Sequence, residues 1–183
     1  MRKVSRVIAA LVLAALTLTV SVGAASAHEF VASKLGTITT TNESIFQSFH
    51  ADFDFECAKV TGEAKITALK SETLKETIKY TECIGPGVPV ELSPAYYEFN
   101  ANGTAKLEKP LMFNMETLGC EEWYEKQTLK GLSYKNTTKG LLFDAQSLEI
   151  SGYGTGGTCG GFFKGDYYGG FYTKLTGGTL EWK

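Results

Sequence analysis

The stretch FHADFDFEC, residues 49–57, alternates apolar with polar or charged side chains at every position. Successive side chains of a β-strand point to opposite faces of a sheet, which produces an alternation of this kind. One face would carry Phe49, Ala51, Phe53, Phe55 and Cys57, and the other would carry His50, Asp52, Asp54 and Glu56. We therefore predict a half-buried strand over residues 49–57.

Similar short runs follow along the rest of the chain, which is rich in threonine, tyrosine and phenylalanine. Among them are Leu129 to Lys135, Leu141 to Ala145 and Leu148 to Tyr153. Turn signals such as Gly85-Pro86-Gly87 and Asn102-Gly103 separate the runs at spacings typical of sandwiches and barrels. The predicted fold class is all-β, with a single antiparallel domain that is a β-sandwich or barrel-like.

The segment Ser71 to Tyr80 has features of both a helix and a strand. Leu74 and Ile78 are four residues apart among good helix formers, whereas the threonines of the segment are β-branched. We predict a strand here.

The N-terminus has the pattern of a cleavable signal peptide. Arg2, Lys3 and Arg6 precede an apolar run from Val7 to Val20, and Ala25-Ser26-Ala27 has the form that signal peptidase cleaves. The apolar run is short for a bilayer span. We predict that residues 1–27 are removed and that residues 28–183 form one mature domain, which is secreted or stays in the cell envelope of a bacterium.

The charge of the mature chain argues against one class of partner. The formal net charge of −2 becomes −5 once the three basic residues of the signal peptide are removed. An acidic protein does not seek the phosphate backbone, so nucleic acid is not expected as a partner. The mature sequence has no second apolar run of membrane-spanning length, so no membrane span is expected in it.

The mature chain contains four cysteines, Cys57, Cys83, Cys120 and Cys159. An even number of cysteines in an exported protein indicates disulfides, and no C-x-x-C pair points to zinc or redox chemistry. Three pairings are open, and we favour Cys57–Cys83 with Cys120–Cys159 because neighbours in sequence are usually neighbours in space.

Several runs along the mature chain are similar to those of a group of small secreted bacterial proteins of uncharacterised function. The runs are HEFVAS at 28–33, the segment from Gly62 through YTEC at 80–83, SPAYYEF at 93–99, ANGT at 101–104, SYKN at 133–136, GTGGTCGG at 154–161 and GGTLEW at 177–182. The resemblance implies a shared secreted β fold. It implies no activity, because these runs consist of turns, strands and cysteines.

The two histidines of the chain suggest a metal site. Cleavage after Ala27 would make His28 the N-terminus, where the α-amine and the imidazole can chelate one metal ion. His50 and Asp52, on one strand face, would complete a nitrogen-rich copper(II) site. The alternative is that His28 is a frayed terminus and His50 an exposed polar residue.

A glycine-rich segment from Gly152 to Gly178 contains many aromatic residues. The simpler interpretation is turns and bulges in which aromatic rings cover glycine positions. The functional interpretation is an aromatic platform for sugar rings, formed by Tyr167, Tyr168, Phe171 and Tyr172.

The carboxylates Asp52, Asp54 and Glu56 resemble the alternating carboxylates of some glycosidases, and they also suggest calcium binding. A solvated strand face explains them more simply. No nucleophile motif accompanies the histidines, and no cofactor motif is found. The leading hypothesis is a non-enzymatic binding or structural domain outside the cytoplasm, with no cofactor and no identified partner. The first alternative is the copper-binding protein, and the second is a glycan-binding or glycan-hydrolysing β-sandwich. A glycan or the cell envelope is the candidate contact.

Overall fold

The computed structural model describes residues 28–43, 45–50, 53–157 and 159–183. The predicted signal peptide and Asp52 lie outside the described residues. The strands are β1 (Phe30–Ala32), β2 (Gly36–Thr41), β3 (Gln47–His50), β4 (Asp54–Ile66), β5 (Lys70–Ser71), β6 (Thr73–Ile84), β7 (Pro89–Leu92), β8 (Ala95–Asn100), β9 (Thr104–Leu107), β10 (Leu111–Met115), β11 (Cys120–Tyr124), β12 (Thr128–Lys130), β13 (Leu132–Thr137), β14 (Gly140–Thr155), β15 (Gly161–Leu175) and β16 (Leu180–Trp182).

Most of these strands form one antiparallel barrel with eight positions around its circumference. In chain order, β2 and β3 share the first position, β4 holds the second, β6 the third, and β7 and β8 share the fourth. β9 and β10 share the fifth position, β11, β12 and β13 share the sixth, β14 holds the seventh and β15 the eighth. Each position pairs with the next one in sequence, and β15 pairs back onto β2 and β3, which closes the ring. The predicted all-β antiparallel fold is confirmed, and the barrel is the form that it takes.

The stretch that predicts the fold is a hairpin rather than one strand. Phe49 on β3 lies opposite Phe55 on β4, and His50 lies opposite Asp54, so the chain reverses direction between His50 and Asp54. The expected single strand over 49–57 is therefore wrong, although its two-sided character is kept. Phe49 and Phe55 are buried, and His50 and Asp54 are exposed on the outer face.

The strand predicted at Ser71 to Tyr80 is present, because β6 runs from Thr73 to Ile84. The two predicted runs from Leu141 to Tyr153 belong to the single long strand β14, which carries a bulge between Ala145 and Leu148. The run from Leu129 to Lys135 is divided between β12 and β13. Among the described residues the only helical element is one 3-10 turn at Glu116–Leu118.

The two ends of the barrel are closed in different ways. Because neighbouring positions alternate in direction, four connections share one end, which we call the disulfide end. They join β3 to β4, β6 to β7, β10 to β11 and β14 to β15. It carries Cys57–Cys83 and Cys120–Cys159, so the favoured pairing is confirmed. At the other end, which we call the capped end, β1 pairs with both β16 and β5 in a small sheet.

Aromatic rings fill the barrel. Phe49 near the disulfide end contacts the rings of Phe55, Tyr80, Phe113, Tyr124 and Tyr167. Near the capped end Phe143 contacts those of Phe30, Phe99, Tyr134 and Phe171. A cavity of about 10 Å³ remains between these clusters, which is no larger than one water molecule needs. An eight-stranded barrel can hold a small ligand, but side chains occupy this interior.

Among the residues that the structure describes, no helix is long and apolar enough to cross a lipid bilayer.

Candidate functional site

A line of large apolar side chains crosses the outside of the barrel near its disulfide end. Met112 lies directly opposite Trp123, Trp123 opposite Tyr153, and Tyr153 opposite Phe162, on β10, β11, β14 and β15. We call these four side chains the aromatic row. Met112, Tyr153 and Phe162 are 38%, 48% and 63% exposed, and Trp123 is half-buried. Large apolar side chains aligned on four adjacent strands are a candidate contact surface.

Polar side chains border the row on both sides. Asn114, Glu121 and Thr155 lie one outward position closer to the disulfide end, and Glu125, Ser151 and Lys164 lie one outward position further from it. Lys164 forms an ion pair with Glu149 at 3.4 Å. The border therefore offers hydrogen-bonding groups, and its free charges are carboxylates.

Glycine in β14 allows the row to form. A Cβ atom on Gly152 would lie 2.1 Å from the carbonyl oxygen of Trp123 and 2.6 Å from Cζ of Phe163. The ring of Phe163 thus occupies the space beside Gly152 inside the barrel, while Phe162 points outward. The interpretation that aromatic rings cover glycine positions is correct for this pair.

The four residues predicted as a sugar platform do not share one face. Tyr167 and Phe171 are buried among the interior rings. The hydroxyl of Tyr167 donates to the side-chain oxygen of Gln47. Tyr168 is 38% exposed and Tyr172 is half-buried, with Lys139 Nζ 5.4 Å from the ring centre of Tyr172. Only Tyr168 and Tyr172 are therefore accessible from outside.

The two histidines predicted as copper ligands lie on different parts of the molecule. His28 stacks on Trp182 beside the capping sheet, with ring centres 4.2 Å apart. His50 lies on β3, where Nδ1 is 2.9 Å from Asp54 Oδ1 and Nε2 is 3.2 Å from Ser48 Oγ. Both ring nitrogens of His50 thus have protein partners. Within the described ranges, no three histidine, cysteine or carboxylate side chains are grouped closely enough to hold a metal ion.

Two of the three carboxylates predicted as a hydrolytic or calcium-binding set, Asp54 and Glu56, line a shallow groove on the outside of the first hairpin, and the third, Asp52, lies outside the described residues. Asp54 and Glu56 lie in this groove of about 500 Å³ together with Glu82, and the exposed side chains Phe46 and Ile84 border it. Asp54 is engaged by His50. Exposed carboxylates in an open groove provide no water-excluding site for hydrolysis.

A buried carboxyl group lies inside the barrel where its last strand meets its first. Glu76 on β6 is 4% exposed, and its Oε1 accepts a hydrogen bond from the hydroxyl of Thr40. The hydroxyls of Thr40 and Thr173 are 2.7 Å apart, and Oε2 of Glu76 has no partner among the described residues. Burial raises the pKa of Glu76 to about 7, against the smaller lowering by the threonine hydroxyls.

The interior tyrosines are not poised for chemistry. The hydroxyls of Tyr80 and Tyr97 are 3.4 Å apart. Burial raises the pKa of Tyr97 to about 12 and that of Tyr80 well above its usual range. These phenols are therefore neutral at physiological pH.

Sequence reasoning missed two members of the row, Met112 and Trp123. The segment Cys120–Tyr124, CEEWY, carries no decisive signal for Trp123. Glu121 shares the parity of Trp123, but Glu122 shares that of Cys120 and Tyr124 and is buried with them. Tyr153 and Phe162 belong to the glycine-rich segment that the sequence does single out.

Comparisons of the chain with protein-family models, with curated proteins and with solved structures give no match.

Proposed function

We propose that the mature chain is a non-enzymatic binding domain that acts outside the cytoplasm and binds through its outer surface. The observation that carries this proposal is the aromatic row, in which large apolar side chains from four adjacent strands lie on the outer surface and three of them are exposed. Exposing them costs hydrophobic free energy, and a contact surface is the usual reason for such exposure.

The rest of the molecule supports the same role. The interior cavity has no room for a substrate, and the capping sheet covers one end of the barrel. Two disulfides are stable in an oxidising compartment, which agrees with the export pattern of residues 1–27. A rigid, closed barrel is well suited to present a fixed surface.

The experiment follows the full-length chain in the cells that produce it. Mass spectrometry of the exported protein should give an N-terminus at His28, and the purified protein should bind to envelope preparations of those cells. The double variant Trp123→Ala/Tyr153→Ala should lose most of this binding, whereas Phe46→Ala, which changes an exposed aromatic residue outside the row and outside the predicted sugar platform, should keep it. Retention in the cytoplasm, or equal binding by both variants, would overturn the proposal.

A further inference from the structure

We propose that the aromatic row binds a neutral glycan chain that lies across the strands of the barrel. This inference rests on the binding role proposed above and names the ligand class of that surface. The row differs from the chain's other candidate sites because its side chains come from four adjacent strands and lie directly opposite one another.

The shape of the row fits an elongated ligand. Adjacent strands of a sheet are about 4.8 Å apart, so three inter-strand steps from Met112 to Phe162 span roughly 14 Å. The row is one side chain wide, because its outward neighbours along the strands are polar apart from Pro110 and Gly160, and neither of these two extends the line of large apolar side chains. A narrow line of this length matches a short run of linked sugar rings rather than a compact small molecule.

The chemistry of the row fits sugar rings. One face of a pyranose ring presents C–H groups with partial positive charge, and the faces of aromatic rings are negative. Trp123, Tyr153 and Phe162 supply such rings, with Met112 as an adaptable neighbour. Asn114, Glu121 and Thr155 on one border and Glu125 and Ser151 on the other supply partners for sugar hydroxyls.

The charge near the row favours a neutral ligand. Among the described residues, the exposed Glu121 and Glu125 beside the row have no ion-pair partner, whereas Lys164 on its border is paired with Glu149 and the exposed Lys126 follows Glu125 in the chain. A polyanion or an anionic membrane surface would meet these carboxylates, and a membrane-binding surface normally has lysine or arginine around its apolar centre.

The width of the row also favours a glycan over a second protein as the ligand. A stable protein interface buries about 800 Å² on each partner and involves some 20 to 30 residues of each. The row offers four apolar side chains with polar neighbours on both sides. A glycan needs no wider apolar surface, because aromatic stacking and edge hydrogen bonds together hold it.

The test measures binding of the purified exported protein to defined probes. The neutral probes are insoluble cellulose, chitin and β-glucan, with soluble hexasaccharides of each type for isothermal titration. The other probes are heparin, vesicles of phosphatidylglycerol with phosphatidylcholine, and the protein itself in sedimentation experiments. The variants are Trp123→Ala, Tyr153→Ala and the conservative Tyr153→Phe, with Phe46→Ala as the exposed aromatic control.

We expect binding to at least one neutral glycan, at least a tenfold loss of affinity in Trp123→Ala and Tyr153→Ala, and near-complete retention in Tyr153→Phe and Phe46→Ala. Unchanged thermal unfolding would show that the alanine variants fold, and Phe162→Ala, at the most exposed position of the row, is a second variant should Trp123→Ala not fold.

Several outcomes would overturn the inference. No binding to the neutral panel, preferential binding to heparin or to vesicles, or row-dependent dimerisation would each do so. If row variants still lose binding to cell envelopes while no neutral glycan binds, the ligand class is wrong and the binding role stands. If envelope binding itself is absent or independent of the row, the binding role fails as well.

Discussion

Glu76 is a single residue whose environment favours its neutral form. Its carboxyl group lies inside the barrel with the Thr40 hydroxyl on one oxygen and no described partner on the other. Gly62 provides the room, because a Cβ atom there would lie 2.7 Å from Oε1 of Glu76. Ionisation would place an uncompensated charge in the interior, so we expect the carboxyl group to limit stability at neutral pH.

The pH dependence of stability should show this effect. The pKa of Glu76 rises from 4.5 to about 7 on folding, so the folded state holds its proton more tightly than the unfolded state. Stability from this group is therefore complete below about pH 4.5 and is lost as pH rises to about 7. The variant Glu76→Gln should be more stable than the wild type by roughly 3 kcal/mol above pH 7.5 and nearly equal to it at pH 4.

Urea unfolding of both proteins at pH 4, 6 and 8 measures this difference, and Glu121→Gln on the surface is the matched control. The Glu76→Gln gain should appear between pH 4 and pH 8 and be absent in the control. A gain that does not change with pH would mean that packing, and not ionisation, distinguishes Glu76 from glutamine.

At the scale of single strands, the segment 49–57 explains why alternation predicts the fold class but not the element. In the hairpin, residue 49 pairs with 55 and residue 50 with 54, so paired positions have the same parity. A reversal over an odd number of residues therefore leaves odd positions facing inward on both arms. Alternation alone is identical for one long strand and for this hairpin, and 51–53 has no glycine or proline to mark the turn.

The candidate site was predicted only in part for a similar reason. Period-two alternation divides Tyr167 and Phe171 from Tyr168 and Tyr172, so a run of aromatic residues along one strand cannot form one platform. The row takes one residue from each of four strands, and its assembly depends on the register between them. That register is a property of the sheet and cannot be read from any one segment.

The long strand β14 depends on Gly152, and this gives an element-level prediction. Gly152→Ala would place a methyl group against the Trp123 carbonyl and the Phe163 ring, so either β11 or Phe163 must move. We expect a loss of roughly 1–3 kcal/mol in the free energy of unfolding and a shift in the register that holds the row. Urea unfolding and the two-dimensional NMR shifts of the Trp123 indole measure both effects.

Gly160→Ala is the matched control, because a Cβ atom there meets no atom within 4 Å and its backbone does not require glycine. It should unfold like the wild type. If Gly152→Ala were equally harmless, the close contact between β14 and its neighbours would not constrain the row.

At the scale of the whole molecule, the sequence does not predict that the strands close into a ring. Alternation is compatible with a sandwich or a barrel, and the choice depends on whether β15 reaches back to β2 and β3. Those strands are more than a hundred residues apart in the chain, so no local pattern records their pairing. The disulfides were predictable because each joins cysteines that are neighbours in both sequence order and space.

The two ends of the barrel should open independently. Covalent bonds secure the disulfide end, whereas hydrogen bonds secure the capped end, where the Asn136 side chain binds both backbone groups of Trp182. The cysteines of the Cys120–Cys159 disulfide are 39 residues apart in the sequence. Removing this disulfide should lower the free energy of unfolding by roughly 3.5–4 kcal/mol, because the unfolded chain gains conformational entropy.

The variant Cys120→Ala/Cys159→Ala should accordingly show faster hydrogen exchange at residues 116–124 and 156–163, while the amides of β1 and β16 keep their protection, because local opening follows local constraints. Exchange followed by mass spectrometry at neutral pH resolves the two regions, and Cys57→Ala/Cys83→Ala is the matched variant at the same end. Equal acceleration at both ends would mean that the barrel opens as one cooperative unit, and the disulfide would then stabilise the whole ring rather than the end on which it lies.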